Sequence, residues 1–539
     1  MAPDSFSVTA NGAGRRLCCA LFLIPLLTFS TGCLFRIGPD YKTAPATLSK
    51  DWMEKGDKGL KTGAADYRTW WAAFNDPVLD GLVNKAYAEN LSLRAAGTRV
   101  LQARAQLGVA VGKWFPQTQQ AVASFEKDRL SPATPQGMSA PSLNRTQCSI
   151  GGQASWEVDF WGKFSRGIES ADAALMASVA DYDNTLVTLT ADVASTYVSI
   201  RTIEKRLEIA RSNVRVQEGS LKIAEERFAG GTTSERDVQQ AKTVLASTQA
   251  DIPSLETQLQ QSQNLLSILL GAAPHDMAGL IGTSIARIPE PPKEVAVGIP
   301  ADLLRRRPDV RSAEYKAAAQ CAQIGIAKAD LLPAFSLTGN FGYAASNVGP
   351  YQLSDMWHAS SRAGAMGPSF QWNILNYGRI INNVRVQDAR FQEAMLTYQN
   401  AVLQAQREVE DALVSFVNSQ RRAACLERSV AAAKRSLDLA TIQYQQGMTD
   451  FTTVLTAEQG LLEQQNNLAT TQGDISQNLV TIYRALGGGW EIREGKDFVP
   501  ASVQEEMKKR TYWGGLLKHE AYASETGEKK APPVRLPDL

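Results

Sequence analysis

"YDNTLVTLTADVASTYVSI" (Tyr182–Ile200) and "YQNAVLQAQREVEDALVSF" (Tyr398–Phe416) carry one pattern twice, 216 residues apart. The same offset relates Gly162 to Gly378, Asp172 to Asp388, Phe228 to Tyr444, Gly231 to Gly447 and Ala241 to Ala457. Farther upstream, "AQLGVA" around Gly108 matches "AQIGIA" around Gly325 at 217. Agreement of this kind marks an internal duplication, and a repeat has to be found before local structure is read. Outward from each copy, apolar and small residues recur at alternating steps of four and three. The stripe runs from Leu175 to Phe228 in the first half and from Phe391 to Tyr444 in the second. A repeat averaging 3.5 residues belongs to helices that supercoil on neighbours. Neither Gly nor Pro interrupts Arg379 to Gln446. Sixty-odd residues at ~1.5 Å each make a rod on the order of 100 Å long.

Each rod is expected to turn back. "FAGGTTSERDV" supplies glycines to stop one helix, and spaces Thr232 and Glu235 as a capping box for the next. "YQQGMTDFTTV" does the same with Gly447 and with Thr449 or Asp450 as cap. The return helices are read to about Leu270 and Leu486, with a kink at Pro253 in the first. Shorter helices open each half: Asp76 caps one with Pro77 at its first position, and Pro308 starts the other with Asp309 in its first turn. The Arg305–Arg307 cluster reads as a solvated helix entry.

Between opening helix and rod the period falls from 3.5 to 2. In "CSIGGQASWEVDF", Cys148, Ile150, Ala154, Trp156, Val158 and Phe160 alternate with Ser149, Gln153, Ser155, Glu157 and Asp159. "FSLTGNFGYAAS" sets Phe335, Leu337, Phe341 and Tyr343 against Ser336, Thr338, Asn340 and Ser346. "TQQAVASFEKD" and "GAMGPSFQWNIL" are rougher candidates. Their lengths suit tilted membrane strands, and the polar loops joining them in pairs, Arg129 to Thr146 and Asn347 to Arg362, are long. Four strands cannot close a membrane barrel, and open edges in hydrocarbon are not viable. Several copies must therefore contribute; a trimer would supply twelve strands and twelve long helices.

Composition narrows the function. The 539 residues carry a net charge of +1, which gives no polyanion-binding surface, so no nucleic-acid partner is expected. Arg15 and Arg16 precede the apolar Leu17 to Leu27, and Ser30, Thr31 and Gly32 precede Cys33. That order reads as an export signal over residues 1–32, either a lipoprotein signal that leaves Cys33 as the acylated first residue or an ordinary cleaved signal. The remaining cysteines, Cys148, Cys321 and Cys425, are scattered and read as small apolar residues. No later segment is apolar for long enough to form a membrane helix. His275, His358 and His519 are too dispersed for a base or metal site, and no phosphate-binding Gly-Lys motif occurs. Neither catalysis nor a cofactor or metal is expected.

"GPDYK", "WWAAFNDPVLDGLV", "ASWEVDFWGK", "LLRRRPDVRSAE", "IGIAKADLLPAFSLTGNFG", "NYGR", "EVEDALV" and "ALGGGW" extend from Gly38 to Trp490. Through them the chain resembles the TolC-like outer-membrane efflux factors, in particular their OprM-like lipoprotein branch. The resemblance implies a homotrimer whose short β-barrel lies in the outer membrane and whose long α-barrel crosses the periplasm. It also implies a periplasmic adaptor, an inner-membrane pump and a lipid anchor at Cys33. The domains are then 1–32 signal peptide, 33–75 anchored segment, 76–270 first repeat, 271–300 equatorial linker, 301–490 second repeat, and 491–539 a charged tail, partly disordered or wrapping the equator. The helix tips would meet the adaptor through Gly230, Gly231, Thr232, Gly447, Met448, Thr449 and Asp450. Asp237 and Tyr444 match positions that form a gate hydrogen bond in relatives. Thr456 stands where relatives commonly carry an Asp whose ring narrows the pore and attracts cations, and here that position has no carboxylate. The function implied is a passive duct for small molecules. A type I protein-secretion conduit or a structural coiled-coil lipoprotein would use the same helices. No Met-rich or His-rich lining points to a substrate.

Overall fold

The computed structural model describes residues 36–517 apart from 44, 46, 50, 55, 57–59, 62–66, 276, 283–286, 293, 297–305, 349 and 351. The signal segment and Cys33 lie outside the described residues, as does the chain after Leu517. In chain order come helices α1 (Pro77–Glu89) and α2 (Leu91–Gly112), strands β1 (Thr118–Arg129) and β2 (Asn144–Glu157), and helices α3 (Lys163–Ala229) and α4 (Glu235–Leu269). The second half follows with α5 (Pro308–Ala329), β3 (Ala334–Ser346), β4 (Arg362–Gln371), α6 (Arg379–Gln445) and α7 (Phe451–Ala485), and then α8 (Ala501–Arg510). The rods α3 and α6 have 67 residues each and the return helices α4 and α7 have 35 each. Their boundaries repeat at the 216-residue offset read from the sequence. The helix α4 is a single element with Pro253 inside it. The chain forms two units.

One unit takes Ala110–Ser170, Cys321–Asp388 and the chain up to Tyr41. Its centre is a four-stranded antiparallel sheet in the order β1-β2-β3-β4. The register aligns Gln120, Gln153, Asn340 and Ala365 in one row, and Ala121, Gly152, Phe341 and Gly364 in the next. Because side chains alternate across a strand, Gln120, Ser124, Ser149, Gln153, Thr338 and Asn340 share one face. Ala121, Ala123, Phe125, Ile150, Leu337, Phe341, Met366 and Phe370 share the other. Amide bonds amide on the polar face, Gln153 Nε2 to Gln120 Oε1 at 2.8 Å. The apolar face is bare: Phe125, Phe341, Met366 and Phe370 are all exposed. Gly151 and Gly342 let β2 and β3 approach closely; a Cβ on Gly151 would stand 2.6 Å from the Phe341 carbonyl oxygen.

The segment leading away from residue 36 is fastened to this unit by Arg166, which is fully buried. Its guanidinium donates to the Ile37 and Gly38 carbonyls, to Asp40 and to Glu169. Gly38, at φ +103°, comes close enough to Gly325 that no Cβ would fit.

The other unit holds the long helices. Its largest core joins α1 and α2 to the middle of the rods, through Leu79, Val83, Leu186, Val193, Tyr197, Phe416 and Leu479. One expectation is corrected here. Arg307 is not a solvated helix entry: it is buried, pairs with Asp309 and Glu408, and donates to the Ala485 carbonyl at 2.9 Å. The start of the C-terminal segment, expected to be partly disordered or to wrap the equator, is packed over its described residues. Trp490, Phe498, Val499, Met507 and Leu517 are buried in this core, with Phe498 edge-on to Tyr182 at 5.0 Å. Arg493 stacks over Trp490 and Phe498 and pairs with Asp183, whose side chain has no exposure.

Candidate channel gate at the helix tips

Both rods end in one device. Gly231 donates to the Phe228 carbonyl and Thr232 to Arg227; Gly447 donates to Tyr444 and Met448 to Gln443. This pairing closes a helix when the residue after its last turn is left-handed, and Gly231 and Gly447 have φ of +71° and +74°. Gly230, Gly231, Thr232, Gly447, Met448 and Asp450 are exposed at these turns, with Thr449 half-buried. The two return helices begin differently. α7 is capped as expected, its Asp450 carboxylate accepting from the Thr453 N–H and hydroxyl. α4 begins at Glu235, two residues later than the Thr232 capping box requires, and the Thr232 hydroxyl donates back to Arg227. Asp237 instead gathers the Thr233 and Ser234 hydroxyls.

Behind the turns lies a small core of Ala224, Val238, Ala241, Leu437, Ala440, Tyr444, Phe451, Val454, Leu455 and Leu461, drawn from all four long helices. Tyr444 is 3% exposed and its ring lies 5.0 Å from Phe451. The structure thus brings Asp237 and Tyr444 to the same tip, but no hydrogen bond joins them within the protomer. Asp237 is occupied by its own turn, and the buried Tyr444 hydroxyl has no partner. The cross-repeat contact is made by Arg227. Its guanidinium lies 4.6 Å from the Tyr444 ring centroid and donates to the Tyr444 carbonyl at the end of α6, which also accepts from the Gly447 N–H. Thr456 is exposed and bonds the Thr452 carbonyl of its own helix.

Beside this core, the seam between α3 and α7 is polar. Asn213 donates to Gln465 at 2.8 Å, and Ser220 donates to Glu458. Gln217 lies between them, buried, with neither amide atom partnered. Burial pushes the Glu458 carboxyl above the ordinary glutamate range, against the hydrogen bond from Ser220. The sequence offered a signal for this residue. Continuing the three-four stripe into α7 gives Phe451, Val454, Glu458, Leu461 and Gln465.

Comparison with known proteins agrees with this architecture. Residues 82–272 and 299–488 match the outer membrane efflux protein family, one match for each repeat. The chain is 30% identical over 479 residues to the pyoverdine export outer membrane protein OpmQ of Pseudomonas putida, covering 88% of this chain and 98% of that protein. It is 27% identical to the cation efflux system protein CusC of Escherichia coli, over 86% and 96% of the two chains. Among solved structures, the outer-membrane channel OprN superposes with a TM-score of 0.78 at 32% identity, over 85% of this chain and all of that one. With both repeats matched and these relatives covered nearly end to end, the chain belongs to the outer membrane efflux protein family and is an efflux channel of the outer membrane.

Proposed function

We propose that the chain forms a passive trimeric duct that carries small molecules out through the outer membrane. In this reading a periplasmic adaptor opens the helix tips and an inner-membrane pump supplies the energy. The observation that carries it is the sheet: four strands, one polar face, one bare apolar face, and edge strands β1 and β4 unpaired among the described residues. Such a sheet is stable in hydrocarbon only when its edges close onto other copies. Twelve strands from three chains make a barrel with its amides inside and its phenylalanines toward lipid. The rods would then surround a continuous lumen, and cleavage before Cys33 would tether each chain by lipid. Small-molecule cargo is favoured by the relatives, named for pyoverdine export and for solvent, toluene and cation efflux. The tips carry the gate through the core around Tyr444, with the exposed turns as the adaptor's contact.

The test is the mass and oligomer size of protein extracted from outer membranes, followed by conductance in planar bilayers. A trimer of tri-acylated chains beginning at Cys33, conducting poorly until the tips are altered, is expected. A water-soluble monomer would overturn the duct.

A further inference from the structure

The tip core contains one ionisable group that the duct reading leaves unused. Glu458 is 2% exposed and sits between Val454 and Leu461 of that core, with the Ser220 hydroxyl as its hydrogen-bond partner. It is buried by its own protomer, so burial does not depend on assembly. Most charged groups on the surrounding helices turn outward; the exceptions are Asp237 on α4, buried in its own turn with Thr233 and Ser234, and Arg227 on α3, half-buried against the Tyr444 ring. On α3, Glu218, Lys222, Glu225 and Glu226 are exposed, with Lys222 3.9 Å from Glu226. On α4, Lys242 is exposed and reaches Glu225 at 3.5 Å. On α6, Lys434, Arg435 and Asp438 are exposed, as is Glu463 on α7. No cation compensates Glu458; its burial is offset by Ser220 alone.

We propose that Glu458 is a proton-operated device in the α3–α7 seam, sealing the tips when protonated and loosening them when ionised. The inference rests on the duct reading. A neutral carboxyl accepts the Ser220 hydroxyl and carries no charge that the apolar neighbours Val454 and Leu461 would leave uncompensated. An ionised carboxylate has a single hydroxyl donor where water would supply several, so burying it opposes packing. The sign follows from the upward shift. Protonation of Glu458 favours the packed seam in acid, and that advantage fades as pH rises through the seam value and the carboxylate forms. Parting α3 from α7 admits water to Glu458 and relieves the charge. Opening therefore becomes easier toward neutral pH.

The experiment is planar-bilayer recording of the purified full-length channel between pH 5 and pH 8, wild type beside Glu458→Gln. The amide keeps the shape and the Ser220 contact but cannot ionise. Wild type is expected to open less often in acid, by about tenfold for each unit that separates the seam and solvated pKa values, whereas Glu458→Gln stays at the acid level throughout. A Glu458→Gln channel with the wild-type pH response, or a wild type without one, overturns the device and leaves the duct standing. Absence of channels from every variant sinks the duct instead. The seam is then judged by hydrogen exchange of residues 452–464, corrected for intrinsic rates. Stronger protection of wild type in acid, abolished in Glu458→Gln, supports the device; equal pH dependence in both removes it.

Discussion

The long helices of the two repeats have the same lengths at one offset, and left-handed glycines stand at matched places: Gly162 and Gly378, Gly231 and Gly447, Gly271 and Gly487. Near the tip their side chains part company. Phe228 is 45% exposed and its counterpart Tyr444 is 3% exposed. Lys242 is exposed and bridges Glu225, while its counterpart Glu458 is buried against Ser220. Arg227 reaches across to the other repeat, whereas Gln443 faces solvent. Backbone signals are shared because both copies must start, stop and turn alike. At the tips the copies diverge, so the two hairpins are not interchangeable there.

The equatorial end gives the most severe test. Asp183 of the first repeat is wholly buried on Arg493, while its counterpart Gln399 donates to the Pro45 carbonyl at 3.4 Å. Removing Arg493 leaves a carboxylate that burial already pushes upward dependent on the looser contact with Arg311, 3.7 Å away. Arg493→Ala is expected to destabilise the helical unit by about 3–5 kcal/mol, and Gln399→Ala by no more than about 0.5 kcal/mol. Denaturation followed by circular dichroism measures both. Equal effects would mean that Asp183 and Gln399 anchor their repeats alike.

The helix-stop glycines should behave as twins. Neither has crowding atoms within 3.4 Å of a built Cβ, so only the left-handed backbone resists substitution. Gly231→Ala and Gly447→Ala are each expected to cost about 1–2 kcal/mol. A clear inequality in their melting shifts would show that assembly loads one tip more than the other.

How much of this was legible in the chain depends on sequence distance. The rods, their turns and the two-faced strands follow from periods and glycines, which are local, and all of them form. Arg307 could not be read, because its role depends on Glu408 and the Ala485 carbonyl, far along the chain. The packing of Trp490 to Leu517 was hidden for the same reason: charged residues around it masked a few apolar anchors whose partners lie on α2 and α3. Arg227 was missed because a basic residue in a last helical turn already has a local explanation. Glu458 occupied a stripe position that only its charge disguised.

Arg227 allows a milder comparison. Arg227→Ala removes a ring contact and a carbonyl partner that only the first repeat supplies, together worth about 1–2 kcal/mol. Channel openings should become severalfold more frequent, while Gln443→Ala leaves them unchanged. Equal leakage from the two would take the cross-repeat contact out of the gate.

Tyr444→Phe is the smallest and most discriminating change. Within the protomer the hydroxyl is buried without a partner, a state that carries a desolvation cost and returns nothing. If closure rests on the ring's packing against Phe451 and Arg227, deleting the oxygen should leave the tip as tight as before, or tighter by under about 1 kcal/mol. Asp237→Ala should then act only through the first turn of α4, where the carboxylate holds Thr233 and Ser234. If Tyr444→Phe and Asp237→Ala instead raise conductance equally, and their double variant raises it no further, the two residues act as one latch. That contact would have to form during closure of the assembled channel, since the protomer alone does not make it. Single-channel recordings of the three variants separate a gate held by packing from one held by a hydrogen bond.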